Sequence, residues 1–117
     1  MRHNVKKNRI NRPKAARELL LGNLASSLIM HEKIKTTKAK AKALQPLIEK
    51  LVNTSKKENK MNAIRSVSKI LHTEVSSKKL FDELAKKYQD RPSGYTRISE
   101  LGFRAGDSAP LVQIELV

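Results

Sequence analysis

Several things are missing from this 117-residue sequence, and each absence removes a class of function. There is no cysteine, so disulfides, thiolate metal sites and cysteine nucleophiles are excluded. There is no tryptophan, and only two Phe and two Tyr, which argues against recognition by stacking successive bases on aromatic platforms. No segment approaches the roughly 20 apolar residues that span a bilayer. No apolar run of seven or more follows the basic start, so a signal peptide is not expected either. The expectation is a soluble protein. The three histidines, His3, His31 and His72, have no second histidine or carboxylate at metal-ligand spacing. Glu32 does adjoin His31, but on a strand the two side chains would face opposite ways. Ser26 and Ser27 lack a nucleophile-elbow pattern, and no GxxxxGK[ST] phosphate loop exists. An enzyme, a metal and a cofactor are therefore not expected, and no internal repeat is found.

The most informative absence is acid near the start. The first seventeen residues contain Arg2, Lys6, Lys7, Arg9, Arg12, Lys14 and Arg17, and no Asp or Glu. Val5 and Ile10 are the only clearly apolar residues before Ala15, so the first dozen residues cannot bury enough surface to fold alone. Like charges that cannot collapse stay extended until an anion neutralises them. The whole chain has a formal charge of +14. Residues 1–42 hold 12 basic and 2 acidic groups, residues 43–117 hold 13 and 9. A body of near-balanced charge with a strongly basic front end points to nucleic acid, and less well to an anionic membrane. The division expected is a basic arm over residues 1–12 and a single compact α+β domain over 13–117.

Pro13 suits the first turn of a helix, and Ala16, Leu20, Leu24 and Leu28 then recur every fourth residue, predicting a helix to about Met30. Gly22 interrupts it at a cost of about 1 kcal/mol relative to Ala, which suggests a close packing contact. Glu32 to Thr37 alternates and includes β-branched residues, as a short strand does. Thr36 or Thr37 can cap the next helix, which runs from Lys38 to about Asn53 on Ala41, Leu44, Ile48 and Leu51. Lys38, Lys40 and Lys42 open it where cations oppose the helix dipole; nearby phosphates or simple solvation would both account for them. Pro46 predicts a kink or break.

Residues 54–60 form a polar, lysine-rich connector. A third, weaker helix places Met61, Ile64, Val67 and Leu71 at helical spacing. A fourth, capped by Thr73, buries Leu80, Phe81, Leu84 and Tyr88. Arg91-Pro92-Ser93-Gly94 ends the helical region. Tyr95 to Leu101 and Leu111 to Val117 then read as two strands joined by a glycine-containing loop. In that loop Arg104 has the planar fork that clamps a phosphate, with a plain hairpin turn as the alternative. The fold expected is two-layer α+β in the order α-β-α-α-α-β-β: a small mixed three-stranded sheet with about four helices mainly on one face.

Read in order, certain strings resemble a known family. They are Met1-Arg2-His3, then His31-Glu32-Lys33-Ile34-Lys35-Thr36-Thr37, Lys79-Leu80-Phe81-Asp82-Glu83-Leu84, Gly94-Tyr95-Thr96-Arg97-Ile98, Gly102-Phe103-Arg104-Ala105-Gly106-Asp107, Ala109-Pro110, and Ile114-Glu115-Leu116-Val117. Together they resemble the bacterial-type ribosomal protein seventeen of the large subunit, over essentially the whole chain. The resemblance implies a non-catalytic structural constituent that binds large-subunit ribosomal RNA. It also implies a position on the solvent side near the peptide exit tunnel, a cytoplasmic location, and neighbours that include protein thirty-two of that subunit. Carried over by position, Arg2, His3, Lys6, Lys7, Arg9 and Arg12 would enter RNA, followed by Lys14 and Arg17. Lys35, Thr36, Thr37, Lys38, Arg97 and Arg104 are further contact candidates. The sequence departs from the family at Gln45, and at Met61, Asn62 and Ala63, where members commonly carry arginines; this leaves contacts from the third helix open. A small non-ribosomal DNA- or RNA-binding protein is the alternative, since phosphate neutralisation carries no sequence information. No helix-turn-helix spacing supports it.

Overall fold

The computed structural model describes residues 12–117. Helix α1 (Lys14–His31) leads into strand β1 (Lys33–Thr37), followed by helices α2 (Lys38–Ser55), α3 (Lys60–Ser68) and α4 (Glu74–Lys79). The α4 helix continues through a π-helical turn, Leu80–Leu84, into a last α-turn, Ala85–Lys87. Strands β2 (Thr96–Phe103) and β3 (Pro110–Leu116) complete the fold. The fold is α+β, as the sequence predicts. The sheet has the order β1-β3-β2, and both pairings are antiparallel, not mixed. The reason is the direction of entry. The β2–β3 hairpin forces one antiparallel pair, and β3 then re-enters beside β1 with the opposite sense.

Register explains the layers. Ile34, Ile114 and Ile98 are partners across the three strands, and with Val112 and Leu116 they face the helices. The next row, Lys35, Gln113 and Ser99, faces away, as the twofold alternation of a strand requires. The core joins that apolar row to Ala25, Leu28 and Ile29 of α1, Leu44, Ile48, Leu51 and Val52 of α2, and Leu80, Leu84 and Tyr88 of the last helix. A register slip by one residue would turn Val112, Ile114 and Leu116 out to water, so burial fixes the pairing.

The helix ends are set by backbone geometry more than by side-chain caps. Glu32 takes a left-handed conformation, φ 66°, and donates its N–H to the Leu28 carbonyl at 2.7 Å. Lys79 reaches back to the Met30 carbonyl at 3.1 Å and lies 3.8 Å from Glu32, bringing a cation to the negative end of α1. Thr37 occupies the cap position of α2 without a side-chain hydrogen bond. Of the caps, Asn59 is bonded, its side chain accepting the Asn62 N–H.

One local expectation holds and two change. Gly22 is the packing contact expected: a Cβ there would sit 2.7 Å from the Ile70 carbonyl oxygen. Pro46 does not break α2, which runs unbroken from Lys38 to Ser55. Pro46 and Lys42 are both exposed, so the Lys42 carbonyl that loses its helical partner remains open to water. On α3, Ala63 and Val67 are buried while Met61 and Ile64 are exposed. The inward row is Ala63, Val67 and Leu71, spaced by four. It prevails over the row through Met61 because α3 is short and the chain turns sharply after Ser68, with Leu71 donating to the Val67 carbonyl at 2.8 Å.

One polar cluster around a buried tyrosine pins the loop before β2. Tyr95 is fully buried. Its hydroxyl lies 2.6 Å from Asn53 Oδ1 and 2.9 Å from both the Arg91 carbonyl and Lys56 Nζ. Tyr88 packs against it with ring centroids 5.0 Å apart and donates to the Val117 carbonyl at 2.8 Å.

Candidate nucleic-acid interface

Arg2, His3, Lys6, Lys7 and Arg9 lie outside the described residues. The rest of the expected set divides over three places. Arg12 and Lys14 are exposed and Arg17 half-buried where α1 begins, in a first turn that has no acidic residue. The positive end of the helix dipole therefore adds to Lys14 and Arg17 instead of being offset by a carboxylate in that turn.

The second place is the open face of the sheet. Lys33 is opposite Glu115, which is opposite Arg97; Lys35 is opposite Gln113, which is opposite Ser99. Lys33, Lys35 and Arg97 therefore share the face turned away from the helices, around the single carboxylate Glu115. Arg97 Nη1 lies 3.8 Å from Glu115 Oε1 and its side chain remains 63% exposed, so its other guanidinium nitrogens are available to a ligand. Thr37 belongs to this face by alternation. Thr36 pairs with Val112 and turns toward the helix layer, away from Lys35. The sequence string Lys35-Thr36-Thr37-Lys38 is thus divided by the pleat. Lys33 joins the face although the sequence did not single it out; strand alternation alone would have shown it.

At the start of α2, Lys38 lies 3.5 Å from Glu100. Lys42 follows it by four residues and shares its side of the helix, whereas Lys40 projects from another side. The alternating lysines therefore do not form one continuous row.

The third place is the β2–β3 loop. Here Arg104 does not offer an open fork. It grips Asp107 through Nε at 3.1 Å and through Nη2. Asp107 Oδ1 also accepts the Ala109 N–H at 3.2 Å. The Arg104 guanidinium, helped by the Ala109 amide, holds the Asp107 carboxyl down at about 2, and the same contact raises the Arg104 pKa. Gly106, at φ 99°, and Ser108, at φ 55°, provide the positive-φ positions this tight loop needs. A spacing of three between Arg and Asp on either side of a glycine was the available signal for the pairing.

Among the described residues there is no group of three or more His, Asp or Glu that could hold a metal ion. No helix among them is long and apolar enough to cross a membrane. What the surface offers is cations on rigid elements.

Comparison with known proteins gives the family. The sequence model of the family described as ribosomal protein L17 matches residues 20–117. The large ribosomal subunit protein bL17 of Rickettsia bellii (strain OSU 85-389) is 46% identical over 117 residues, which is 100% of this chain and 82% of that protein. The bL17 protein of Erythrobacter litoralis is 45% identical over 100% of this chain and 83% of its own length. That of Neorickettsia sennetsu is 42% identical over 100% of both chains. With the match running from within α1 through β3 and including every strand of the sheet, the chain belongs to the ribosomal protein L17 family.

Proposed function

We propose that this chain is a structural constituent of the large ribosomal subunit that binds and stabilises ribosomal RNA by neutralising its phosphates. As a ribosomal protein of this family it is not an enzyme. Residues 1–12 form the basic arm of this reading, and residues 13–117 the compact domain that carries it. Arg2, His3, Lys6, Lys7, Arg9 and Arg12 enter the RNA, and Lys14 and Arg17 continue the contact along α1. Lys35 and Arg97 contact it from the open sheet face, next to Thr37 and Lys38. Arg104 contributes once a phosphate competes with Asp107 for its fork. Thr36, turned toward the helices, has the weakest case.

The observation that carries this reading is the first turn of α1. It places Lys14 and Arg17 at the positive end of a helix dipole with no carboxylate in the turn, an arrangement that opposes itself in water and is relieved by phosphate. Family resemblance adds neighbouring large-subunit proteins, including protein thirty-two, and a place on the solvent side near the peptide exit tunnel. The exposed Leu101 and Phe103 of the β2–β3 hairpin are an apolar surface suited to a protein neighbour.

The test is salt dependence of binding to a large-subunit ribosomal RNA transcript, with duplex DNA as competitor. Affinity should fall steeply as salt rises, because each neutralised phosphate releases counterions. Trimming residues 1–12 should weaken binding strongly while leaving the melting temperature nearly unchanged. Binding that barely responds to salt, or that duplex DNA displaces as readily as RNA does, would sink the proposal.

A further inference from the structure

Two concavities meet on the helical side, away from the sheet face described above. The first, about 530 Å³, lies between Ala15, Leu19 and Leu21 of α1, Leu47 and Lys50 of α2, and the Lys69–His72 turn. The second, about 360 Å³, continues between Lys50, Thr54 and Lys57 of α2 and Ser66 and Lys69 of α3. Lys50, Lys69 and Ile70 line both, so the two form one trough with a lysine on each wall at the divide.

The chemistry of the trough is uneven in a telling way. Its first part has an aliphatic floor, with Leu19 53% exposed and Leu21, Leu47 and Ile70 half-buried. Its walls bear Lys50, Lys57 and Lys69 against one carboxylate, Glu18. None of these three lysine side chains has a hydrogen-bond or ion-pair partner among the described residues. The floor is also held firmly. Gly22 lets α1 approach the Ile70 backbone so closely that a methyl group would collide with it, and Ile70 is fixed by its N–H bond to the Val67 carbonyl at 3.0 Å. A surface that merely neutralised a duplex would need no apolar seat. A seat for an unstacked base, flanked by cations for the phosphates on either side of it, is what single-stranded or bulged RNA requires.

We infer that this trough is a second RNA site, seating an unstacked nucleotide with its base against Leu19, Leu47 and Ile70 and its flanking phosphates on Lys50, Lys69 and Lys57. The inference rests on the RNA-binding reading above and extends it to the junction of α1, α2 and α3. The trough begins near the start of α1, at Ala15 and Glu18. The aliphatic seat also suits a chain so poor in aromatic side chains.

The test uses the full chain and three probes: a short single-stranded RNA containing thiouridine, an RNA duplex of equal length, and a polyglutamate peptide. Its variants are Lys50→Gln with Lys69→Gln, Leu19→Asp, and Arg9→Gln with Arg12→Gln as the arm control. Circular dichroism melting checks that each variant folds. Removing two phosphate contacts should reduce the salt slope for the single strand by about 1.4, which at physiological salt is about a tenfold loss of affinity. Leu19→Asp should abolish preference for single strand over duplex, and thiouridine should photocrosslink to peptides containing Leu19, Leu47 or Ile70. If the arm variant weakens binding and the trough variants do not, the trough is no RNA site, while the proposed function stands. If neither variant weakens binding, the RNA reading itself fails. Equal losses for single strand and duplex without crosslinks would overturn the base seat. Polyglutamate that displaces the RNA through Lys50 and Lys69 would make the trough a protein-docking site instead.

Discussion

Replacing Gly22 with alanine sets two effects of opposite sign against each other. Alanine in a helix interior is favoured over glycine by about 1 kcal/mol, partly because the unfolded chain has less freedom to lose. Against this, the new methyl carbon would lie 2.7 Å from the Ile70 carbonyl oxygen, well inside van der Waals contact. That oxygen is backbone and has no rotamer to turn away. Its turn is tied to α3 through the Val67 carbonyl, and α1 is anchored by the fully buried Ala25, Leu28 and Ile29. One element must move by about 0.5 Å or more, and overpacking of this kind costs about 1–3 kcal/mol. With both sides anchored the cost falls in the upper part of that range, so the net loss should be about 1–2 kcal/mol. Urea unfolding followed by circular dichroism reads it directly. The midpoint should fall by about 0.5–1 M with an unchanged slope, given a slope of about 2 kcal/mol/M for a chain of this size. Asn23→Ala at the adjacent exposed position is the control, where helix propensity alone should raise stability slightly. If Gly22→Ala proves as stable as the parent or more so, α1 and the Ile70 turn are not held together as described.

Other positions give equally direct checks. Tyr95→Phe removes a hydroxyl that bridges Asn53, Lys56 and Arg91 while keeping the ring, and should destabilise the fold by about 1–2 kcal/mol in the same denaturation assay. Phe103→Ser should leave the melting temperature within about 3 °C of the parent, since surface changes away from packing features cost under about 0.5 kcal/mol, yet should weaken retention on large subunits in a co-sedimentation assay. Asp107→Asn should strengthen binding to ribosomal RNA by freeing Arg104, measured as a higher affinity at moderate salt. The pair also has a pH signature. The folded-state pKa of Asp107 is lowered to about 2, so the pairing is intact above the ordinary carboxylate range near 4 and is lost as pH falls through about 2. Nuclear magnetic resonance of the Asp107 carboxyl carbon should show its midpoint near 2, and a clear rise toward the ordinary carboxylate range in Arg104→Gln, held short of it by the Ala109 amide.

Most of the fold could be read from periodicity, and the places where it could not have physical causes. The fourfold rows through Leu28, Leu44 and Leu84, and the alternation of Val112, Ile114 and Leu116, place the core because water exclusion dominates and has a simple period. Sheet sense is not periodic: no residue marks which neighbour β3 will choose, so the antiparallel β1–β3 pairing had to be seen. Met61 and Ile64 mislead because short helices are oriented by their connections as much as by their own stripe. Pro46 misleads because its penalty depends on whether the released carbonyl reaches water, which sequence does not state. On the interface, charge identifies a polyanion partner, but only the pleat separates Thr36 from Lys35. Only the loop's fold closes Asp107 onto Arg104. The trough lysines are ordinary in the sequence; the junction of three helices makes them a set.

The strand order has a consequence for when each surface exists. β3 completes the sheet by inserting between its hairpin partner β2 and the distant β1, with Glu115 aligned to Arg97 on one side and Lys33 on the other. The β1–β3 contacts close a very long loop and form slowly, whereas contacts between near neighbours form early. The cationic sheet face of Lys33, Lys35 and Arg97 is therefore a late product of folding. The walls of the helical trough come from the first three helices and the turn after them, and include no strand residue. A chain engaging RNA before its fold is complete would bind first by its helices and add the sheet contacts last, so the RNA could take part in timing the protein's own completion. Pulsed hydrogen exchange during refolding should then show protection in α1–α3 before β1 and β3, and simultaneous protection would rule this order out.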